Sequence, residues 1–79
     1  MLVRTVFFAS YRDAAGAGEL SVKLPDGASV ADLVSRLRSD GLGSLPPDPA
    51  VAVNAEYAPL HTRLSEGDEV AFIPPVSGG

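Results

Sequence analysis

The group with most to offer chemically is the carboxylate of Gly79, at the end of Pro74-Pro75-Val76-Ser77-Gly78-Gly79. A carboxylate is a poor electrophile and transfers nothing until it is activated. Attack of its oxygen on the α-phosphate of ATP would give an acyl-adenylate, with pyrophosphate leaving. A sulfur donor could then displace AMP and leave a thiocarboxylate, a stronger nucleophile than the carboxylate it replaces. A lysine amine could instead displace the activating group and give an isopeptide bond. Both routes need an unhindered tip. A side chain at Gly79 would crowd the carbonyl under attack, and one at Gly78 would obstruct a narrow channel. Fully extended, Pro74 to Gly79 reaches roughly 20 Å at about 3.3 Å per residue. The prolines stiffen the base of that arm.

Other chemistry-bearing residues lack partners in the sequence. His61 is the only histidine and cysteine is absent, so no metal site is expected and thiol catalysis is excluded. Ser10 and Ser77 have no base nearby and no nucleophile-elbow pattern around them. The glycine-rich stretches match neither a phosphate-binding loop nor a dinucleotide fingerprint. Asp68 and Glu69 are adjacent, and on a strand they would point to opposite faces, which is poor geometry for a catalytic carboxylate pair. A self-contained enzyme is therefore not expected.

The bulk properties fit that reading. A chain of 79 residues makes one domain, and 46% hydrophobic with 20% charged residues describes an ordinary globular protein. A formal charge of -4 argues against nucleic acid or an anionic membrane as partner. No apolar run approaches the ~20 residues of a membrane span. Met1 leads directly into strand-like sequence, and with no cysteine the expected compartment is the cytoplasm.

The elements that must carry the arm follow from periodicity. Leu2 to Ala9 is rich in branched and aromatic residues and reads as a central strand. Ser10 to Ala15 predicts one or two helical turns, with Ser10 as N-cap and Asp13 three residues on. Glu19 to Leu24 alternates, placing Leu20, Val22 and Leu24 on one face of a strand that pairs antiparallel with the first. Ser29 and Asp32 form a variant capping box before the main helix, Val30 to about Ser39. Its stripe of Val30, Leu33, Val34 and Leu37 must lie on a sheet. Arg36 and Arg38 read as a solvated helix end. Gly41 to Pro49 is a loop with no assigned ligand. Ala50 to Asn54 is a short strand turning at Asn54-Ala55-Glu56, and Tyr57 to Leu64 contributes one short edge strand. A turn at Leu64 to Asp68 opens the last strand, Glu69 to Ile73, which Pro74 and Pro75 must end because neither can donate to a ladder.

A hairpin, a helix and returning strands predict an α+β fold. It is a mixed sheet of four to five strands with one main helix on one face. A right-handed crossover would set the last strand beside the first, in the middle of the sheet. That is the ubiquitin-like β-grasp. The domain is expected over 1–74, with 75–79 as an extended tail.

The run from Gly67 to Gly79 closely resembles the C-terminus of the molybdopterin synthase small subunit family, the sulfur carriers of molybdenum cofactor biosynthesis. Supporting segments are Phe7-Phe8-Ala9 with Arg12-Asp13 and Ala15-Gly16, Ser29-Val30-Ala31-Asp32-Leu33, and Val53-Asn54 with Glu56-Tyr57. The resemblance spans essentially the whole chain. It implies that Gly79 is adenylated by a ubiquitin-activating-like adenylyltransferase and converted to a thiocarboxylate by a sulfur donor protein. The tail would then enter the large subunit of molybdopterin synthase, in a heterotetramer, and give its sulfur to cyclic pyranopterin monophosphate. Phe72, Pro74, Pro75, Val76, Ser77 and Gly78 would form the docking strip, with apolar sheet residues beside it. No permanently bound cofactor is implied, since ATP is used by the activating enzyme. Rival readings from the same features are a sulfur carrier for thiamin or tRNA thiolation, a protein modifier joined to lysines, and an interaction module whose tail does no chemistry.

Overall fold

The computed structural model describes residues 1–75. Seven elements follow in order: β1 (Leu2–Phe7), α1 (Ala9–Ala15), β2 (Glu19–Lys23), α2 (Val30–Ser39), β3 (Ala50–Val53), β4 (Glu56–Ala58) and β5 (Glu69–Ile73). The strands form one five-stranded sheet in the order β2-β1-β5-β3-β4. β1 pairs antiparallel with β2 and parallel with β5, while β3 is antiparallel to both β5 and β4. The last strand therefore lies at the centre beside the first, and the fold is the ubiquitin-like β-grasp.

The core lies between one face of the sheet and α2. Val3 and Phe7 of β1, Val22 of β2, Val51 of β3 and Val70 and Phe72 of β5 meet Val30, Leu33, Val34 and Leu37 of α2. Among the described residues Thr5 is the one buried polar residue of that core, and its Oγ1 donates to the Leu20 carbonyl at 2.6 Å. A buried hydroxyl is tolerated when it is hydrogen-bonded in this way.

α2 begins as its sequence requires. The Ser29 side chain accepts from the Asp32 backbone N–H, and the Asp32 carboxylate accepts from the Ser29 N–H at 2.9 Å. Two further N–H groups of the first turn are taken from outside the helix. Val30 and Ala31 donate to the carbonyls of Thr62 and Leu60, both at 2.9 Å. The stretch after β4 is thus a clasp over the N-terminus of α2, and the edge strand predicted within Tyr57 to Leu64 is confined to the short β4. His61 sits exposed on that clasp.

The first helix departs from expectation. Ser10 is not its N-cap: α1 starts at Ala9, after Phe8 in an extended conformation and with no capping side chain. The Phe8 carbonyl accepts from Tyr11 N–H at 3.0 Å. Tyr11 must turn its ring into the core, and that requirement sets the helix phase one residue early. Ala9 therefore belongs to α1 and not to β1, at a φ of 47°. The loop 41–49 is also tied down, because Leu42 and Leu45 enter the core.

Asn54 and Ala55 have φ of 49° and 71°, which makes the β3–β4 hairpin a type I′ turn. Asn tolerates that region, and here its side chain accepts from Glu69 N–H and donates to Asp68, both at 3.0 Å. Ala55 gains no such compensation and carries the full clash of its Cβ. Ala55→Gly relieves about 1–2 kcal/mol of strain and costs about 0.5–1 kcal/mol in unfolded-chain entropy. A net gain of about 0.5 kcal/mol in urea denaturation is the expected outcome.

Candidate functional site

The site is built on β5. Its sequence Glu69-Val70-Ala71-Phe72-Ile73 alternates, so Val70 and Phe72 turn into the core while Glu69, Ala71 and Ile73 turn to the opposite face. Flanked on both sides by other strands, β5 cannot shift without breaking two ladders. Pro74 and Pro75 follow directly and end the pairing. Pro74 is half-buried and Pro75 exposed. Val76, Ser77, Gly78 and Gly79 lie outside the described residues, so the tail end of the predicted site has no structural description.

Phe72 does not belong on a docking strip in this fold. It is 0% exposed, and its ring stacks on Phe7 with centroids 5.5 Å apart and an interplanar angle of 27°. The strand alternation explains the correction: Val70 and Phe72 share a parity, and Val70 is a core residue. The residues that β5 turns to its other face are Ala71 and Ile73, followed by the prolines.

The face turned away from α2 divides into two halves. At the start of β5, Arg4 stands opposite Glu69 in the parallel register and opposite Ser21 of β2. Its guanidinium donates to Glu69 and lies 3.7 Å from Glu19. The hydrogen bond to Glu69, with the charges of Glu19 and Glu69, raises the Arg4 pKa above its ordinary value. Arginine is charged throughout the accessible range, so this shift has no consequence for pH dependence.

Towards the end of β5 the same face becomes apolar. Val6, Ala71, Ala52 and Tyr57 form one cross-strand row over four strands. Ile73 stands beside Ala50 in the next row. Tyr57 is 79% exposed, an unusual cost for a large aromatic on a strand. A groove of about 360 Å³ adjoins this patch, lined by Tyr11, Pro46, Pro49, Ile73, Pro74 and Pro75. Pro74 and Pro75 thus form one wall of a groove and one border of an apolar surface. Sequence reading named Pro74 and Pro75 but not Tyr57, Tyr11 or the loop prolines. No local pattern marks Tyr57: its place on the face opposite Val51 follows from its pairing with Ala52 in the sheet.

Among the described residues no group of three or more His, Cys, Asp or Glu side chains is placed to hold a metal ion. No described helix is long and apolar enough to cross a membrane.

A model of the ThiS family matches residues 5–79. The chain belongs to the ThiS family. A relative from Chlamydomonas reinhardtii, a molybdopterin synthase sulfur carrier subunit, is 37% identical over 100% of both chains. Among solved structures of similar fold, SAMP1 from Haloferax volcanii superposes with a TM-score of 0.85 at 29% identity over 100% of each chain. A chain in the complex of subunits 1 and 2 of the molybdopterin-converting factor from Helicobacter pylori superposes with a TM-score of 0.72 at 27% identity, again over 100% of each chain. These similarities extend over the whole length of the chain.

The two aromatics of β4 and β5 separate packing from surface. Phe72→Ala in this ThiS-family chain removes a stacked core ring and should cost about 3–5 kcal/mol. Tyr57→Ala should stay within about 0.5 kcal/mol of the parent. Urea denaturation of both variants checks the assignment, and equal losses would overturn it.

Proposed function

We propose that this chain is the sulfur carrier subunit of molybdopterin synthase, with the carboxylate of Gly79 as its working group. The observation that carries the reading is the position of β5, central in the sheet and running straight into Pro74 and Pro75. An arm on that base leaves from the most constrained strand, beside an apolar face fit for a partner. The sulfur carrier relatives and the two-subunit complex support the same partner, a molybdopterin synthase large subunit.

In this reading the Gly79 carboxylate attacks the α-phosphate of ATP within an adenylyltransferase, releasing pyrophosphate. Sulfide released by a sulfur donor protein then displaces AMP and leaves the thiocarboxylate. Inside the large subunit the sulfur would bond to a carbon of cyclic pyranopterin monophosphate. Water would cleave its bond to the Gly79 acyl group and return the carboxylate, and two such transfers would complete the dithiolene. This chain contributes no acid or base to those steps. Its residues hold the arm: the β5 ladder fixes the base, Pro74 and Pro75 direct it, and Gly78 and Gly79 leave room around the carbonyl. The row of Val6, Ala71, Ala52 and Tyr57 would seat the partner, with burial of Tyr57 supplying much of the contact energy.

A second reading has one specific support, the structural match to small archaeal modifier protein 1 of Haloferax volcanii. There the same activated carboxylate would meet a lysine amine instead of a sulfur donor. A carrier for thiamin or tRNA thiolation would share the first two steps and differ in the acceptor.

Deletion of Gly79 should abolish dithiolene formation in a reconstitution with the large subunit and the pterin precursor, while leaving thermal unfolding unchanged. Tyr57→Ala should weaken large-subunit binding about tenfold or more by calorimetry. Dithiolene formation by a chain lacking Gly79 would overturn the assignment. Intact mass from the native host separates the readings: exchange of one oxygen for sulfur marks a carrier, and lysine conjugates mark a modifier.

A further inference from the structure

β2 is one edge of the sheet, and its outer side is a strand-pairing surface with an unusual symmetry. Met1 N and Leu24 N each donate to the other's carbonyl, at 2.7 and 2.8 Å, and Phe7 N donates to Gly18 O at 2.9 Å. In an antiparallel ladder these bonded pairs recur every second residue. The backbone groups of Leu20 and Val22 therefore face β1, and those of Glu19, Ser21 and Lys23 face outward. Arg36 Nη1 donates to one of them, the Lys23 carbonyl, at 3.1 Å, which leaves that oxygen a second lone pair.

The side chains along this edge read Glu19-Leu20-Ser21-Val22-Lys23. Turned end for end, the segment matches itself. Laid antiparallel against its own copy about Ser21, it sets Glu19 opposite Lys23, Leu20 opposite Val22, and Ser21 opposite Ser21. Edges that are protected from pairing carry charges that repel a second copy; this edge carries charges that attract one. Lys23 makes no ion pair among the described residues, so its ammonium is available to the partner's Glu19. Leu20, half-exposed beside the groove between β2 and α2, would be covered at the same time.

We propose that two copies of this chain associate through β2, in a two-fold antiparallel pairing centred on Ser21 that joins their sheets into one. The pairing forms two backbone hydrogen bonds at each of the three outward-facing positions, about six in all. Both Glu19–Lys23 contacts form together, because a two-fold interface repeats each contact. The arms are unaffected. The two β5 strands lie five strand spacings apart, about 24 Å at about 4.8 Å each, and their C-terminal ends point in opposite directions. The association makes a two-armed carrier with both tails free. It does not depend on what the tail carries.

The interface is small, so the dimer should be weak, with a dissociation constant below about 1 mM. Sedimentation equilibrium of the full chain over a concentration series tests it. Glu19→Lys and Lys23→Glu each create two like-charge pairs and should weaken the dimer about tenfold. The double variant E19K/K23E restores opposite charges and should restore the parent affinity. Ser21→Cys fixes the register, because bonded antiparallel pairs bring Cα atoms to about 5.5 Å, within disulfide range. The chain has no other cysteine, so oxidised Ser21→Cys should give a covalent dimer, while Ser35→Cys on exposed α2 should not. A parent chain that stays monomeric at about 1 mM overturns the proposal. So does a dimer indifferent to the charge swaps, or one in which Ser21→Cys fails to cross-link.

Discussion

Everything in this molecule leans on the parallel pairing of β1 with β5. Arg4 to Phe7 run beside Glu69 to Phe72, and the ladder is closed inside the core by the stacked rings of Phe7 and Phe72. Joining segments more than sixty residues apart carries a loop-closure cost, though that cost grows only slowly with length. Burial of two aromatic rings offsets it, since each removes a large apolar area from water and the pair gains further from its geometry. A parallel pair needs cover on its face, and α2 supplies that cover through Val30, Leu33, Val34 and Leu37.

From that constraint the polar details follow. The sheet centre admits one hydroxyl, Thr5, and gives it a carbonyl partner. Among the described residues no buried side-chain nitrogen or oxygen lacks a hydrogen bond. The turns feeding β5 are held by side chains and not by glycine alone. Gly67 supplies the positive φ of 83°, while Asn54 and Asp68 tie the β3–β4 hairpin to the first residue of β5. Both ends of the strand that leads to the arm are therefore fixed, one by hydrogen bonds and the other by packing.

The face turned away from α2 is charged at one end and apolar at the other. Charges cluster where β5 begins, around Arg4, Glu19 and Glu69, and apolar groups gather where it ends, around Ala71, Ile73 and Tyr57. The apolar half borders Pro74 and Pro75 directly. The charged half, screened by water and salt, contributes little to stability.

Much of this was legible in the chain itself. The capping box of Ser29 and Asp32, the stripe on α2, the alternation of β2 and the stop at Pro74 are local patterns. Each is decided by residues within a few positions of one another, so the element order and the β-grasp followed. Tertiary structure decided what local pattern cannot carry. Phe72 went to the core because α2 covers the face of β5 that it shares with Val70, which the strand's own five residues do not reveal. Ser10 lost its capping role because Tyr11 had to reach the interior. Loop 41–49, irregular in sequence, was organised by Leu42 and Leu45, and its prolines came to line the groove beside the arm. Tyr57 became a surface residue through its pairing with Ala52. Periodicity reports which side chains share a face; only the packed sheet determines which face is covered.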